Sequence, residues 1–264
     1  MRSETRSELT KVLNLCLKEA GQILKKGFGT KIQVRLKGPV NPVTEIDLAA
    51  EKKIVSLIRK NYPNHRILTE ESQPYPGDSR FRWIIDPLDG TTNYAHAIPL
   101  CCVSIGIEEA GKVILGGIFN PMIGELFFAE KGKGAYLNGK RIQVSKTEKL
   151  IDSLLVTGFP YDRQKKADYY LKFFGGLMRE TLGIRRLGAA AMDLSYVACG
   201  RFDAFWELNL QPWDVAAGVL LVQEAGGKVT NFEGEAFAVD RPLQLLSSNG
   251  RIHPQVLSIF KSIQ

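Results

Sequence analysis

An α/β fold of the mixed α+β kind follows from three observations on the 264 residues. Helical periodicity opens the chain, short β-branched runs fill its middle, and helices and strands interleave through its second half, with no repeat, linker or low-complexity tract. At this length roughly 70 to 75% of the unfolded chain's surface can be buried, so a sizeable core is available. Hydrophobic residues make up 44% and charged residues 24% of the chain, which argues against extensive disorder.

Over residues 7–28, Leu9, Val12, Leu13, Leu15, Cys16, Ala20, Ile23 and Leu24 fall near helical spacing, with Gly27 and Gly29 as stop signals. Beyond a loop at GPVNP, Ile46, Leu48, Ala49, Ile54, Val55, Leu57 and Ile58 predict a second helix, beginning near Asp47 and ended by Tyr62-Pro63. From about residue 66 the runs RILTEE, RWIID, CCVSIGIEE, VILGGIFN and ELFFAEK read as strands. Ala110-Gly111-Lys112 joins two of them as a hairpin, and Cys101 and Cys102 point to opposite faces if they lie on a strand. The second half predicts a strand at SLLVTGFP, a helix over roughly 164–181, a strand at IRRLG and a helix from Ala190 to Gly200. A short strand FDAFWEL, a helix from Asp214 to Ala225, late strands in VTNFEG and LQLLSSNG and a terminal helix complete it. Two lobes, residues 1–140 and 141–264, sharing one compact body, are the economical organisation.

The formal net charge of +7, from 35 Lys+Arg against 28 Asp+Glu, is scattered rather than gathered in a block. Such a field draws anions, so phosphorylated small molecules suit it as well as nucleic acid does. The chain carries no aromatic-plus-basic nucleic-acid motif, which ranks RNA binding below enzymatic work. Cys16, Cys101, Cys102 and Cys199 show no CxxC spacing and read as reduced, buried thiols. The N-terminus MRSETRSELTKVL is polar, and no apolar run reaches the roughly 18 residues of a membrane span, so a cytoplasmic protein without a membrane partner is expected.

The stretch WIIDPLDGTTNY carries the densest chemistry. Trp83-Ile84-Ile85 reads as a buried strand ending at Asp86, because Pro87 has no N–H for the ladder and pairing is expected to stop there. Asp89 follows across a tight bend, and Asp86, Asp89 and the Leu88 carbonyl are hard oxygen ligands suited to Mg²⁺. Gly90-Thr91-Thr92 offers backbone N–H groups and hydroxyls, the chemistry of an anion cradle. The same residues equally suit an Asx-type turn in which Asp86 and Asp89 bond local N–H groups. Thr69-Glu70-Glu71 supplies further acids at a strand end. Asp214, after Trp213, opens the helix DVAAGVLLVQEAGG, where a first-turn acid also explains it.

Together, TEE, DPLDGTT and PWD resemble the inositol monophosphatase family of Mg²⁺-dependent, Li⁺-sensitive phosphatases. The two long matches are WIIDPLDGTTNY and PWDVAAGVLLVQEAGG, and the likeness extends from Lys37 and VTEID through KGKGAYLNG to RRLGAAAMDLSYVACGRFDAFWEL. The resemblance implies a layered αβαβα sandwich of two sheets and helices, like that of inositol monophosphatase and fructose-bisphosphatase. It puts Glu70, Asp86 and the Leu88 carbonyl on one Mg²⁺ and Asp86, Asp89 and Asp214 on a second. Glu70 faces a third, weaker metal, giving two or three per site. It also implies that substrate lies against Asp89 and Asp214, its phosphate on the N–H groups of Gly90 and Thr91, and that Glu70 or a Thr91–Asp47 pair takes the proton of a Mg²⁺-activated water. Glu207, Gly188 and Ala190 fall at leaving-group positions of the family, although Ala189 replaces the Thr or Ser often found beside them. Lys37, Arg185 and Arg186 are further candidates; each also reads as a solvated charge. GAAAMD after Arg185-Arg186 resembles broader members that accept fructose 1,6-bisphosphate. Inositol monophosphate or a related sugar or polyol phosphate is thus the expected substrate. Fructose-1,6-bisphosphatase, histidinol-phosphatase and nucleotide 3′-phosphatase activities are the alternatives. The resemblance further implies a homodimer, and some bacterial members join RNA-associated transcription complexes.

Overall fold

The computed structural model describes residues 5–38, 41–241 and 243–263; residues 1–4 of the polar N-terminus and the Pro39-Val40 part of the GPVNP loop lie outside them. Helix α1 (Arg6–Gly27) starts at Thr5, whose side chain accepts the Glu8 N–H while the Glu8 carboxylate accepts the Thr5 N–H. Helix α2 (Glu45–Asn61) begins two residues ahead of Asp47, because Thr44 is its cap and Asp47 completes a second capping box. A small antiparallel ribbon, β1 (Val34–Leu36) with β2 (Pro42–Thr44), joins the two helices and is not announced by the sequence.

The larger sheet has seven strands in sequence order: β3 (Arg66–Thr69), β4 (Phe81–Asp89), β5 (Cys102–Glu109), β6 (Lys112–Asn120), β7 (Glu125–Glu130), β8 (Gly134–Leu137) and β9 (Lys140–Ile142). Only the β3–β4 pair is parallel. Ala110 and Gly111 form the predicted hairpin turn between β5 and β6, both with positive φ, 48° and 82°, as the twist-compatible two-residue turn requires. Pairing does not stop at Pro87 as the sequence suggests. It passes from Asp86 opposite Ser104 to Asp89 opposite Cys102, so Pro87 and Leu88 together face the single residue Val103 in a bulge. The bulge accommodates the missing N–H and bends the strand at the residues of interest.

A short helix α3 (Thr91–Ala95) follows. The smaller sheet has five strands: β10 (Leu154–Thr157), β11 (Gly183–Arg185), β12 (Ala204–Leu208), β13 (Lys228–Thr230) and β14 (Gln244–Ser248), ordered β11-β10-β12-β14-β13. Helices α4 (Arg163–Met178), α5 (Ala190–Ala198), α6 (Pro212–Glu224) and α7 (His253–Ile263) pack around it. The expected strand at SLLVTGFP is shorter because the backbone leaves the sheet at Gly158, and α4 ends ahead of residue 181.

Three apolar cores join five layers. The first joins α1 and α2 to the larger sheet through Leu13, Leu17, Ile54, Trp83, Ile85 and Ile105. The second places α5 and α6 between the sheets, with Ile118 and Phe127 on one side and Val156 and Phe205 on the other. The third covers the far face of the smaller sheet with α4 and α7 through Phe173, Trp206 and Phe260. All of α5 and most of α6 are buried, as helices apolar on every side must be. Cys101 lies in the first core and Cys102 in the second, the opposite faces that a period of two demands. This is the expected αβαβα sandwich. Among the described residues no helix is long and apolar enough to cross a membrane, and all four cysteines are free thiols, three buried and Cys199 half-buried.

Candidate active site

A cavity of about 610 Å³ opens where the bent end of β4, the start of α3 and the N-termini of α5 and α6 converge. Glu70, Asp86, Leu88, Asp89, Gly90 and Thr91 line it together with Arg186, Gly188, Ala190, Glu207 and Asp214. Residues 144 positions apart in sequence, Glu70 and Asp214, thus share one space.

Each of the three aspartates is oriented by a backbone N–H, local for Asp86 and Asp214 and distant for Asp89. Asp86 Oδ1 accepts the Leu88 N–H at 2.9 Å, so the Asx-type turn read from the sequence does form. Ser104, opposite Asp86 in the ladder, bonds the Trp213 carbonyl at the start of α6, which shows that Asp86 lies on the sheet face toward α6. Asp89 Oδ2 accepts the Ala191 N–H at 2.7 Å. That N–H belongs to the first turn of α5, whose cap residue Ala189 has no hydroxyl to offer, so Asp89 reaches across to do the capping. Asp214 Oδ2 accepts the Gln211 N–H at 2.6 Å, the expected first-turn role. Helix capping and membership of the cavity are therefore compatible duties of one side chain.

Burial and mutual repulsion disturb this set. Asp86, 2% exposed, is pushed well above the usual carboxylate range by burial and then by Glu70, Asp89 and Asp214. Asp89 is raised to about 7, chiefly by burial, against the bond from Ala191. Asp214 is also raised well above its ordinary value, by burial first and then by Asp89 and Glu70, against the bond from Gln211. The positive counterweight near Glu70 is Lys37, whose Nζ lies 2.7 Å from both Glu70 Oε1 and Glu71 Oε1; it is an ion-paired residue rather than a solvated loop charge. Among the described residues no three His, Cys, Asp or Glu side chains stand at cation-coordinating spacing.

Beside the acids, Gly90 adopts φ 86°, and a Cβ there would stand 2.8 Å from the Leu100 carbonyl oxygen and 3.2 Å from Ala189 Cβ. Only glycine fits this turn. Thr91 Oγ1 lies 3.0 Å from both Asp47 Oδ1 and the Leu88 carbonyl oxygen. Asp47 sits behind the cavity rather than on its wall, buried, with Oδ2 taking the Thr44 N–H at 2.9 Å and the Thr44 hydroxyl at 2.5 Å. Burial raises its carboxyl, and the bonds from Thr44 and Thr91 oppose the shift.

At the other end Glu207 is raised to about 8 by burial, with Arg186 opposing. A Cβ at Gly158 would overlap the Glu207 carboxylate, and one at Gly188 would press on the Arg186 guanidinium. Arg185 is exposed, bonds the Ile184 carbonyl and does not line the cavity. Sequence reasoning missed Gly158, Phe159, Pro160, Tyr161 and Arg163, which form the wall after β10. Their one local signal is Gly-Phe-Pro closing an apolar strand.

Set against known proteins, the chain matches the model of the inositol monophosphatase family over residues 5–264. It is 42% identical to an inositol-1-monophosphatase of Caulobacter vibrioides over 245 residues, 91% of this chain and 96% of that one. It is 44% identical to the Nus factor SuhB of Escherichia coli over 229 residues, 84% and 86% of the two chains. The crystal structure of the extragenic suppressor protein suhB of Bartonella henselae superposes with a TM-score of 0.92 at 42% identity, covering 96% of this chain and 98% of that chain.

Proposed function

The chain belongs to the inositol monophosphatase family, and we propose that it is a Mg²⁺-dependent phosphate monoester hydrolase acting on inositol monophosphate or a related sugar or polyol phosphate. One observation carries this reading: Glu70, Asp86, Asp89 and Asp214 come from three separate elements to one cavity, next to a glycine turn with donors for a phosphate. The donor set fits Mg²⁺, being all oxygen and anionic, with Asp86 and Asp89 buried and Lys37 paired only with Glu70 of the four acids. Glu70, Asp86 and the Leu88 carbonyl would hold one ion and Asp86, Asp89 and Asp214 another, with Glu70 also facing a third. Mg²⁺, when bound, supplies positive charge for the phosphoryl oxygens and lowers the pKa of water.

The protein's own groups do the remaining work. Gly90 and Thr91 N–H groups hold phosphate oxygens and stabilise charge as it builds. Thr91, oriented by Asp47, aligns the attacking water and passes its proton toward Asp47. We favour this pair over Glu70 as the base because Thr91 and Asp47 are in hydrogen-bond contact, whereas Glu70 is engaged by Lys37. Glu207, with Gly188 and Ala190 beside it, receives the alcohol's hydroxyls, and Arg186 widens the choice toward a second anionic group.

The deciding experiment is turnover of purified protein on inositol 1-phosphate, fructose 1,6-bisphosphate, histidinol phosphate and a nucleoside 3′-phosphate, with and without Mg²⁺ and Li⁺. Fastest Mg²⁺-dependent release of phosphate from inositol 1-phosphate is expected; fastest release from another ester moves the substrate assignment to it, and no release from any ester overturns the reading. A second reading is favoured by the relatives named Nus factor SuhB: a role in an RNA-bound transcription complex. RNA binding that survives Asp89→Asn supports it. We also propose a cytoplasmic homodimer, which sedimentation and cell fractionation test.

A further inference from the structure

Glu51 is buried on α2, 3% exposed, and lies outside the cavity, yet three donors of one loop converge on it. Thr69 Oγ1 donates to Glu51 Oε2 at 2.6 Å, the Glu71 N–H donates to the same oxygen at 2.9 Å, and Ser72 Oγ donates to Oε1. Thr69 and Glu71 flank Glu70. The carboxylate therefore grips the chain on both sides of Glu70 without touching its side chain. Asp47 stands four residues earlier on α2 and holds Thr91, and four residues of helix are a fixed rise of about 6 Å.

We infer that Glu51 is a positioning residue for cation binding: it fixes the Thr69–Ser72 loop so that Glu70 is presented at a set distance from Thr91, with α2 as the shared ruler. The inference rests on the reading of Glu70 as a cation ligand. Charged acceptors with several bonds are strong restraints, and partners that orient ligands from behind are typically worth ~10–100-fold in metal affinity.

The test is Mg²⁺ titration of the full chain by calorimetry, joined to amide exchange at Glu71. Glu51→Gln keeps volume but replaces one acceptor oxygen with a donor. It is expected to weaken Mg²⁺ binding about tenfold and speed exchange at Glu71, while turnover recovers at high Mg²⁺. Ser72→Ala removes one outer bond, is expected to fold normally and to weaken Mg²⁺ binding in the same direction by a smaller factor. Wild-type Mg²⁺ affinity in both variants, whatever their melting temperatures, would make Glu51 a structural residue only. If Glu51→Gln does not fold, Ser72→Ala decides by the same criterion. Glu70→Gln separates the two claims: unaltered Mg²⁺ affinity there overturns the ligand reading, whereas weakened affinity there with wild-type affinity in both Glu51→Gln and Ser72→Ala overturns this inference alone.

Discussion

Two groups of buried carboxylates in this protein differ in how their charge is met. On α2, Asp47 and Glu51 accept bonds from Thr44, Thr91, Thr69, Glu71 and Ser72. Around the β4 bend and α6, Asp86 and Asp89 are buried and Asp214 is half-buried, but each takes one backbone bond, with a Cys102 thiol added at Asp89, and Asp86 faces Glu70, Asp89 and Asp214. A buried carboxylate saturated with donors is scaffolding; one left short of them is costly in the folded state unless a cation arrives. The contrast separates the supports of the site from the groups offered to a ligand.

The largest expected effect breaks the second group. Asp89→Asn or Asp214→Asn should lower turnover at moderate Mg²⁺ by roughly 10²-fold or more, with the melting temperature in EDTA unchanged or higher, because one repelling charge is gone and the amide oxygen still accepts the helix N–H. Near wild-type turnover in either variant removes that residue from the ligand set. Next, Gly158→Ala forces Glu207 away from its seat and should cut kcat/KM about tenfold, in the range of one lost alcohol-binding contact, with Mg²⁺ affinity intact; equal loss of Mg²⁺ affinity would show that the change spreads beyond the alcohol end.

Stability should respond in the opposite sense in the two groups. Asp47→Asn leaves buried donors unmatched and should cost about 1–3 kcal/mol in chemical denaturation, whereas Asp89→Asn should not destabilise the metal-free protein. The pH dependence sharpens the same point. Unfolded carboxylates titrate near 4, while Asp89 is raised to about 7 and Glu207 to about 8 in the fold. Between those limits the folded state holds more protons than the unfolded one, so metal-free stability falls as pH rises. Melting in EDTA is expected at a higher temperature near pH 5.5 than near pH 8, with Mg²⁺ reducing the difference; a rise with pH in EDTA contradicts it. The smallest effect is Arg185→Ala, expected to leave kcat and KM within about twofold, as ordinary surface substitutions do.

Local pattern alone was enough to announce α1, most of α2 and the strand runs, and it placed Cys101 and Cys102 on opposite faces. Periodicity and capping chemistry act over a few residues, so sequence carries them directly. It also set Glu70 just after a strand and Asp214 in the first turn of a helix, but it ended the middle strand at Asp86, whereas β4 runs on to Asp89. What tertiary structure decided was their meeting. The bulge that carries β4 past Pro87, the Asp89 bond that caps α5, the clearance at Gly158 for Glu207 and the grip of Glu51 on Thr69 and Glu71 all join residues 13 to 102 positions apart. Such contacts are selected by how the five layers pack, and no single stretch of chain encodes its distant partner.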